Sequence, residues 1–522
     1  MRGHIVRHEL PAAVCCLASL AALVTAAPSA GALDGDQAAG SSPLKPATPV
    51  AARPATARAA DGRYIAWREH VIDDASTGGA ELQGGDGLVM ADLDRDGHLD
   101  VVSVHESDSE YDNVPDGLIR IAFGSADPDR WVTATLASGA EAAAPEDVAV
   151  ADLNGDGYPD VVAACELAHL IYFQNPGLDA RTTKWPRIIP PGASKRGSFI
   201  RTFFADVNGD GRPEVIATNK GAQSPSVTQP PTAMSWFEVK GDPLDGRNWI
   251  EHELTRVVWP INAQPVDLDG DGDTDIVGGS VAERRIMWFE NGGGRDPRFA
   301  ERPIEIAGTS IVGDARPAAR RNDTGALVSG FNMVFVDLNA DRRLDIVTFE
   351  FSRLVGRSVV WLEQPATRGS AWRLHEIGQY APDEVVGLSV ADINGDGWPD
   401  VMSGGYSGGA RDADADGNPN AASGRLAWFQ HPGPAGGPAD TSAGPRAATP
   451  WTRHDISRRR RGMFDAFVAR DMDGDGDVDF VTTRGNSTTF DGVFWLEQVR
   501  SATPAPSFAR ARPIDSPELP LP

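Results

Sequence analysis

Three cysteines in 522 residues leave almost no room for disulfide chemistry. Cys15 and Cys16 lie in an apolar N-terminal stretch, and removing that stretch leaves Cys165 without a partner in the chain. Long apolar runs are equally scarce. Only Leu10 to Ala27 approaches a membrane span, and it is short for one. Basic residues are in deficit, with 48 Lys and Arg against 74 Asp and Glu and a formal net charge of −26. A surface of that sign repels phosphates and excludes nucleic acid as a partner. No Ser/His/Asp, Cys/His or HExxH arrangement stands out, so the common nucleophilic and zinc hydrolases have no signature here.

What is present begins with MRGHIVRHE, weakly basic, followed by the apolar stretch and by small residues at Ala26, Ala27, Ala30 and Ala32. This layout predicts a secretory signal peptide over residues 1–32, with a retained anchor as the alternative. Valine before Cys15 is a poor context for lipidation. Residues 33–62 are rich in Ala, Pro, Gly, Ser and Thr without hydrophobic period, which predicts a flexible linker. The mature chain is then expected to be secreted or periplasmic, free of membrane spans, and a monomer.

Seven acidic loops of nine residues follow: DLDRDGHLD, DLNGDGYPD, DVNGDGRPE, DLDGDGDTD, DLNADRRLD, DINGDGWPD and DMDGDGDVD. Oxygen-bearing side chains recur at positions 1, 3 and 5. They are Asp92, Asp94 and Asp96; Asp152, Asn154 and Asp156; Asp206, Asn208 and Asp210; Asp267, Asp269 and Asp271; Asp337, Asn339 and Asp341; Asp392, Asn394 and Asp396; Asp471, Asp473 and Asp475. A carboxylate closes each loop at position 9: Asp100, Asp160, Glu214, Asp275, Asp345, Asp400 and Asp479. A glycine at position 6 lets the chain turn sharply, so that the carbonyl of position 7 (His98, Tyr158, Arg212, Asp273, Trp398, Asp477) can face inward. An all-oxygen set of this kind suits a hard cation, above all calcium. The loops hold 26 carboxylates, equal to the whole charge excess, so the acidity belongs to them and does not advertise a basic partner.

The fifth loop departs from the pattern, with Ala340 and Arg342 at the glycine positions. A left-handed arginine is strained by about 1 kcal/mol or more, and its charge opposes a cation. Six calcium sites are therefore expected, with the site at 337–345 weak or absent. An eighth acidic stretch, DADADGNPN at 412–420, lies outside the register and offers one more candidate.

Each loop splits two strand-like segments, as in VAVAD and DVVSV, and an aromatic strand (YFQN, WFEN, WLEQ, WFQH) and an outer strand (WRLHEI, WTRHDI) follow. Four short antiparallel strands, seven times over, predict an all-β, seven-bladed β-propeller over residues 63–500 with a calcium-type loop in the first hairpin of each blade. The tryptophans are expected between blades. The outer strand occurs eight times for seven places, at Trp67 to Ile72 and again at 507–514 in the tail 501–522. Trp67 fits the pattern better, so the N-terminal copy is expected to close the ring. The basic run Arg458 to Arg461 is expected to be a solvated loop, with an anion-binding lip as the alternative.

These loops, ending at position 9 between strands, are not EF-hands, which end at position 12 between helices. They are similar to the FG-GAP or VCBS repeats of the integrin α-subunit propeller and its bacterial relatives, over about residues 64–500. The resemblance implies structural calcium on one rim and partner binding on the opposite face. That face would carry the segments after the second strands, with His105, Glu106, Glu166, His169, Lys220 and Tyr406. The blade-to-blade turns add Asp86, Glu146, Asp147, Asn262, Asn332, Glu384 and Asp465. Acidic residues on such a rim are mostly expected to be solvated.

Two functions follow. One is a calcium-stabilised binding or adhesion module for an extracellular protein or carbohydrate. The other is a secreted carbohydrate lyase or dehydratase, because GGDG with HE around loop 1, and PED with CE around loop 2, resemble propellers related to fungal aldos-2-ulose dehydratase. No cupin-like segment accompanies them. In that case Glu106, Glu166, His105 and His169 are the candidates for acid, base or metal ligand.

Overall fold

The second strand of each repeat is apolar at consecutive positions and needs cover on both faces, which stacking repeats supplies. The computed structural model describes residues 47–107, 114–307, 328–351, 356–407, 423–433, 450–460, 462–485, 491–512 and 518–521. It divides into a unit Met1–Ala47 and a unit Thr48–Pro522, and the second is a propeller of seven four-stranded antiparallel blades. The expected signal peptide and the acidic stretch 412–420 lie outside the described residues. Among the described residues there is no α-helix, and so none long and apolar enough to cross a membrane.

Blade 1 comprises Gly85–Ala91, Asp100–His105, Leu118–Phe123 and Val132–Ser138; blade 2 comprises Pro145–Ala151, Asp160–Cys165, His169–Phe173 and Arg187–Ile188. Blade 3 is built from Phe199–Ala205, Glu214–Asn219, Thr232–Val239 and Trp249–Val257, and blade 4 from Pro260–Val266, Asp275–Ser280, Arg285–Asn291 and Phe299–Pro303. Blade 5 uses Val334–Val336, Asp345–Phe351, Gly356–Glu363 and Trp372–Gln379; blade 6 uses Glu384–Ala391, Asp400–Tyr406, Gly424–Gln430 and Thr452–Arg459. Blade 7 joins Phe467–Arg470, Asp479–Arg484 and Gly492–Ser501 to the N-terminal strand Tyr64–Asp74. First strands of neighbouring blades touch one another around most of the axis. Second strands such as Asp100–His105 and Asp275–Ser280 are buried at every position.

The two ends of the chain close the ring. Tyr64–Asp74 pairs antiparallel with Gly492–Ser501, from Tyr64 opposite Ser501 to Asp74 opposite Gly492. The C-terminal copy is not wasted: Phe508–Ala509 adds a short parallel strand outside it, with Phe508 opposite Trp67. Closure removes an edge that would otherwise recruit other chains. The tryptophans do pack, and four of them pair across strands with histidines. Trp236 faces His252, Trp361 faces His375, Trp428 faces His454 and Trp495 faces His70, with ring centroids 3.9, 4.4, 4.5 and 4.0 Å apart.

Two expectations are corrected. Residues 48–62, read as part of a flexible linker, are packed onto the ring. Ala51, Ala57 and Ala59 are buried in a cluster with Trp67, Trp428 and Phe508. Val50 N donates to Leu519 O at 2.9 Å, Ala55 N to Ala505 O at 2.8 Å and Ala60 N to Asn394 O at 2.8 Å. Methyl groups are small enough to lie flat on a sheet edge without producing a hydrophobic period. Nor is the start of the basic run a solvated loop, because Arg458 and Arg459 end a strand and are buried; Arg461 lies outside the described residues. Arg458 binds Asp383 through Nε at 2.7 Å and Nη2 at 2.8 Å, and Arg459 binds Glu69 at 3.1 Å. Glu69 also takes Arg484 at 2.8 Å. Burial pushes the Glu69 carboxyl up, but the arginines outweigh it and hold it below the usual range.

Candidate functional site

Each acidic loop is organised by its own backbone. In loop 1, Asp92 accepts from the amides of Asp96 and Gly97, both at 3.1 Å, Asp94 accepts from Asp96 N at 3.2 Å, and Asp96 accepts from His98 N at 2.9 Å. Loop 3 repeats the set around Asp206, Asn208 and Asp210, and loop 6 repeats it around Asp392, Asn394 and Asp396. Carboxylate oxygens gather within 4.8 Å of one another at Asp92, Asp94 and Asp96, at Asp267, Asp269 and Asp271, and at Asp471, Asp473 and Asp479. Oxygen donors at this spacing fit a hard cation.

The closing carboxylate at position 9 has a second task. Asp160 accepts from Leu153 N at 3.1 Å and from Asn175 N at 2.8 Å, and Asn175 Nδ2 donates to Leu93 O in the preceding blade's loop at 2.8 Å. The same staple runs from Asn291 to Val207 O, from Gln364 to Leu268 O, from His431 to Leu338 O and from Gln498 to Ile393 O. Five of the seven loops, 1 and 3 to 6, are thereby tied to the next blade. Burial pushes the position-9 carboxyls up, Asp100 to about 7 and Asp400 to about 8.

Loop five keeps its turn, with Asp341 N on Asp337 at 3.0 Å and Arg342 N at 2.7 Å, although Ala340 and Arg342 hold φ of 60° and 70°. Its Asp341 is engaged by Arg343. In loop 1, Arg181 from blade 2 reaches Asp94 and lies 2.6 Å from Asp96.

The loops join the end of each first strand to the start of the second, so the start of the first strand and the end of the second lie at the other face. There the structure gathers charge. Oxygens of Glu106, Glu146 and Glu166 lie within 4.8 Å of one another, and so do those of Asp86, Glu146 and Asp465. All five residues are buried, which corrects the expectation of a solvated acidic rim. Lys220, from the end of a blade 3 strand, forms an ion pair with Glu166. Arg201 crosses the axis to Asp465 at 3.5 Å and stands 3.9 Å from Asp147. Asn332 joins both, accepting from Arg201 and donating to Asp465, each at 3.2 Å. Burial raises the Glu146 carboxyl against the pull of Lys220 and Arg201, and raises Asp147 to about 6 against that of Arg201.

Not every rim candidate joins this group. His105 pairs through Nε2 with Ser103 at 3.0 Å, and burial lowers its pKa to about 3, so it stays neutral. His169 Nε2 meets Glu141 O at 3.1 Å, and burial lowers its pKa as well. Burial pushes the Cys165 thiol up and leaves it inert. Asn262 donates to Phe331 O at 3.1 Å, and Glu384 pairs with Arg357 at 3.5 Å. Sequence reasoning missed Arg201. Its signal was an arginine inside FIRTFFA, an innermost strand that is otherwise largely apolar.

A ring of seven hairpin-loop repeats defines a repeat propeller. The model of the FG-GAP-like repeat family matches at residues 92–163, 152–217, 206–278 and 337–403, and with the seven blades these matches fit an FG-GAP repeat protein. No curated protein matches the chain significantly. An FG-GAP propeller supports a protein-binding module in general.

Proposed function

We propose that the protein is an exported, calcium-stabilised propeller that binds an extracellular protein or carbohydrate through the face opposite the acidic loops. The observation that carries this reading is the separation of the two faces. One holds oxygen clusters of the geometry a hard cation takes, and the other gathers buried carboxylates, Lys220 and Arg201 at the axis. Calcium would pin each hairpin and, through the Asn and Gln staples, the neighbouring blade. A rigid ring would then present its opposite rim, where binding residues concentrate on such scaffolds.

Metal that binds only the folded state stabilises it by mass action. Thermal melts in calcium and in EDTA, paired with elemental analysis, test the reading. The expected result is about six calcium ions and a large fall in Tm with chelator. An unchanged Tm in EDTA would overturn structural calcium.

The convergence of Glu106 and Glu166, with Lys220 on Glu166, favours a second reading as a carbohydrate lyase or dehydratase. A buried acid cluster beside an amine could hold and move a proton at a sugar carbon. Incubation with acidic and neutral polysaccharides, followed by detection of a new carbon–carbon double bond, separates this from the binding reading.

A further inference from the structure

The acidic loops do not account for the carboxylates at the other end of the axis. Glu146 belongs to both trios there, with Glu106 and Glu166 on one side and with Asp86 and Asp465 on the other. The basic groups nearby are already engaged, Lys220 by Glu166 and Arg201 by Asp465. Glu146 is only 6% exposed, and no hydrogen bond or salt bridge among the described residues reaches its carboxylate, so Lys220 and Arg201 offset its charge only through space while burial still raises its pKa. A buried carboxylate in that position is costly unless something compensates its charge. Oxygens of four other carboxylates lie within 4.8 Å of it, which adds repulsion to the loss of hydration.

We propose that Glu106, Glu146 and Glu166 hold one divalent metal ion at the mouth of the channel, on the face opposite the seven loops. Three carboxylates from two blades offer only hard oxygen donors, which favours magnesium, manganese or calcium over the softer metals. The site is assembled by the ring. Glu106 follows the second strand of blade 1, Glu166 follows that of blade 2, and Glu146 lies in the first strand of blade 2. Lys220 on Glu166 offsets one of the three negative charges and orients that carboxylate. The proposal does not depend on what the acidic loops bind.

Crystals of the full chain soaked in manganese(II) test it through an anomalous difference map. A peak bonded to Glu106, Glu146 and Glu166, separate from any peak in the loops, is expected. Loop peaks without an axial peak would overturn the axial site and leave the loop sites standing. An axial peak without loop peaks would do the reverse. A map with no peak would overturn both. In solution, Glu146→Gln should bind one manganese ion fewer per chain than the wild type, and Glu106→Gln combined with it should remove no second ion. An equal count for the wild type and a folded Glu146→Gln protein would refute the site.

Discussion

His454 shows how burial fixes the protonation of one residue. Its ring lies 4.5 Å from that of Trp428, and Nε2 meets Gln430 at 3.1 Å. Burial lowers its pKa from 6.5 to about 4, against the smaller opposing pull of Asp455. The folded state therefore prefers the neutral ring. The stability this contributes is complete above pH 6.5, the unfolded value, and is lost as pH falls toward 4. Between pH 7 and pH 5 the loss is about 2 kcal/mol. Melts in excess calcium at both pH values should show a smaller acid-induced fall in Tm for His454→Phe than for the wild type. Equal falls would mean that His454 does not titrate as argued. Residue chemistry also explains what the sequence concealed. Glu69, Arg459 and Arg484 lie far apart along the chain, and only the closed ring makes them one buried ion cluster.

At the scale of the element, the acidic loop serves two purposes, and its positions divide between them. Positions 1, 3 and 5 line a turn with oxygens, while position 9 fastens the turn to the strand that follows. The turn was legible because its spacing is local. The staple to the preceding blade was not, although its Asn, Gln or His recurs in or just after five of the seven third strands, because its acceptor is a backbone carbonyl. Loop five isolates the cost of a wrong residue in the turn. Arg342 at φ 70° occupies a conformation that glycine adopts without strain. Arg342→Gly should stabilise the protein by about 1 kcal/mol in urea unfolding. It should also raise the calcium count by one if the remaining oxygens suffice. A destabilised variant would mean that the Arg342 side chain contributes more than its backbone costs.

For the whole molecule, the decisive feature is the N-terminal strand in blade 7. The motif W-x-x-H occurs at Trp67 to His70, Trp249 to His252, Trp372 to His375 and Trp451 to His454, and its histidine faces the tryptophan of the third strand each time. The C-terminal copy lacks that histidine and takes the outer, parallel place. Deleting residues 1–74 should expose the long edge of Gly492–Ser501 and remove the Trp495 partner. Size-exclusion chromatography should then show association, and the melt should lose cooperativity. A monomeric, cooperatively melting deletion variant would show that the C-terminal strand can close the ring.

The sequence by itself determined the number of blades, the strand order within them and the oxygen pattern of the loops. These depend on neighbours within a few residues and on a repeat that the chain states seven times. Only the tertiary structure decided which carboxylates meet at the axis, that Arg201 crosses it, and that Arg458 and Arg459 are buried. Those facts join residues from different blades. Whether a charge is solvated or buried depends on what closes over it, and in a ring that is set by the strand that arrives from the other end of the chain.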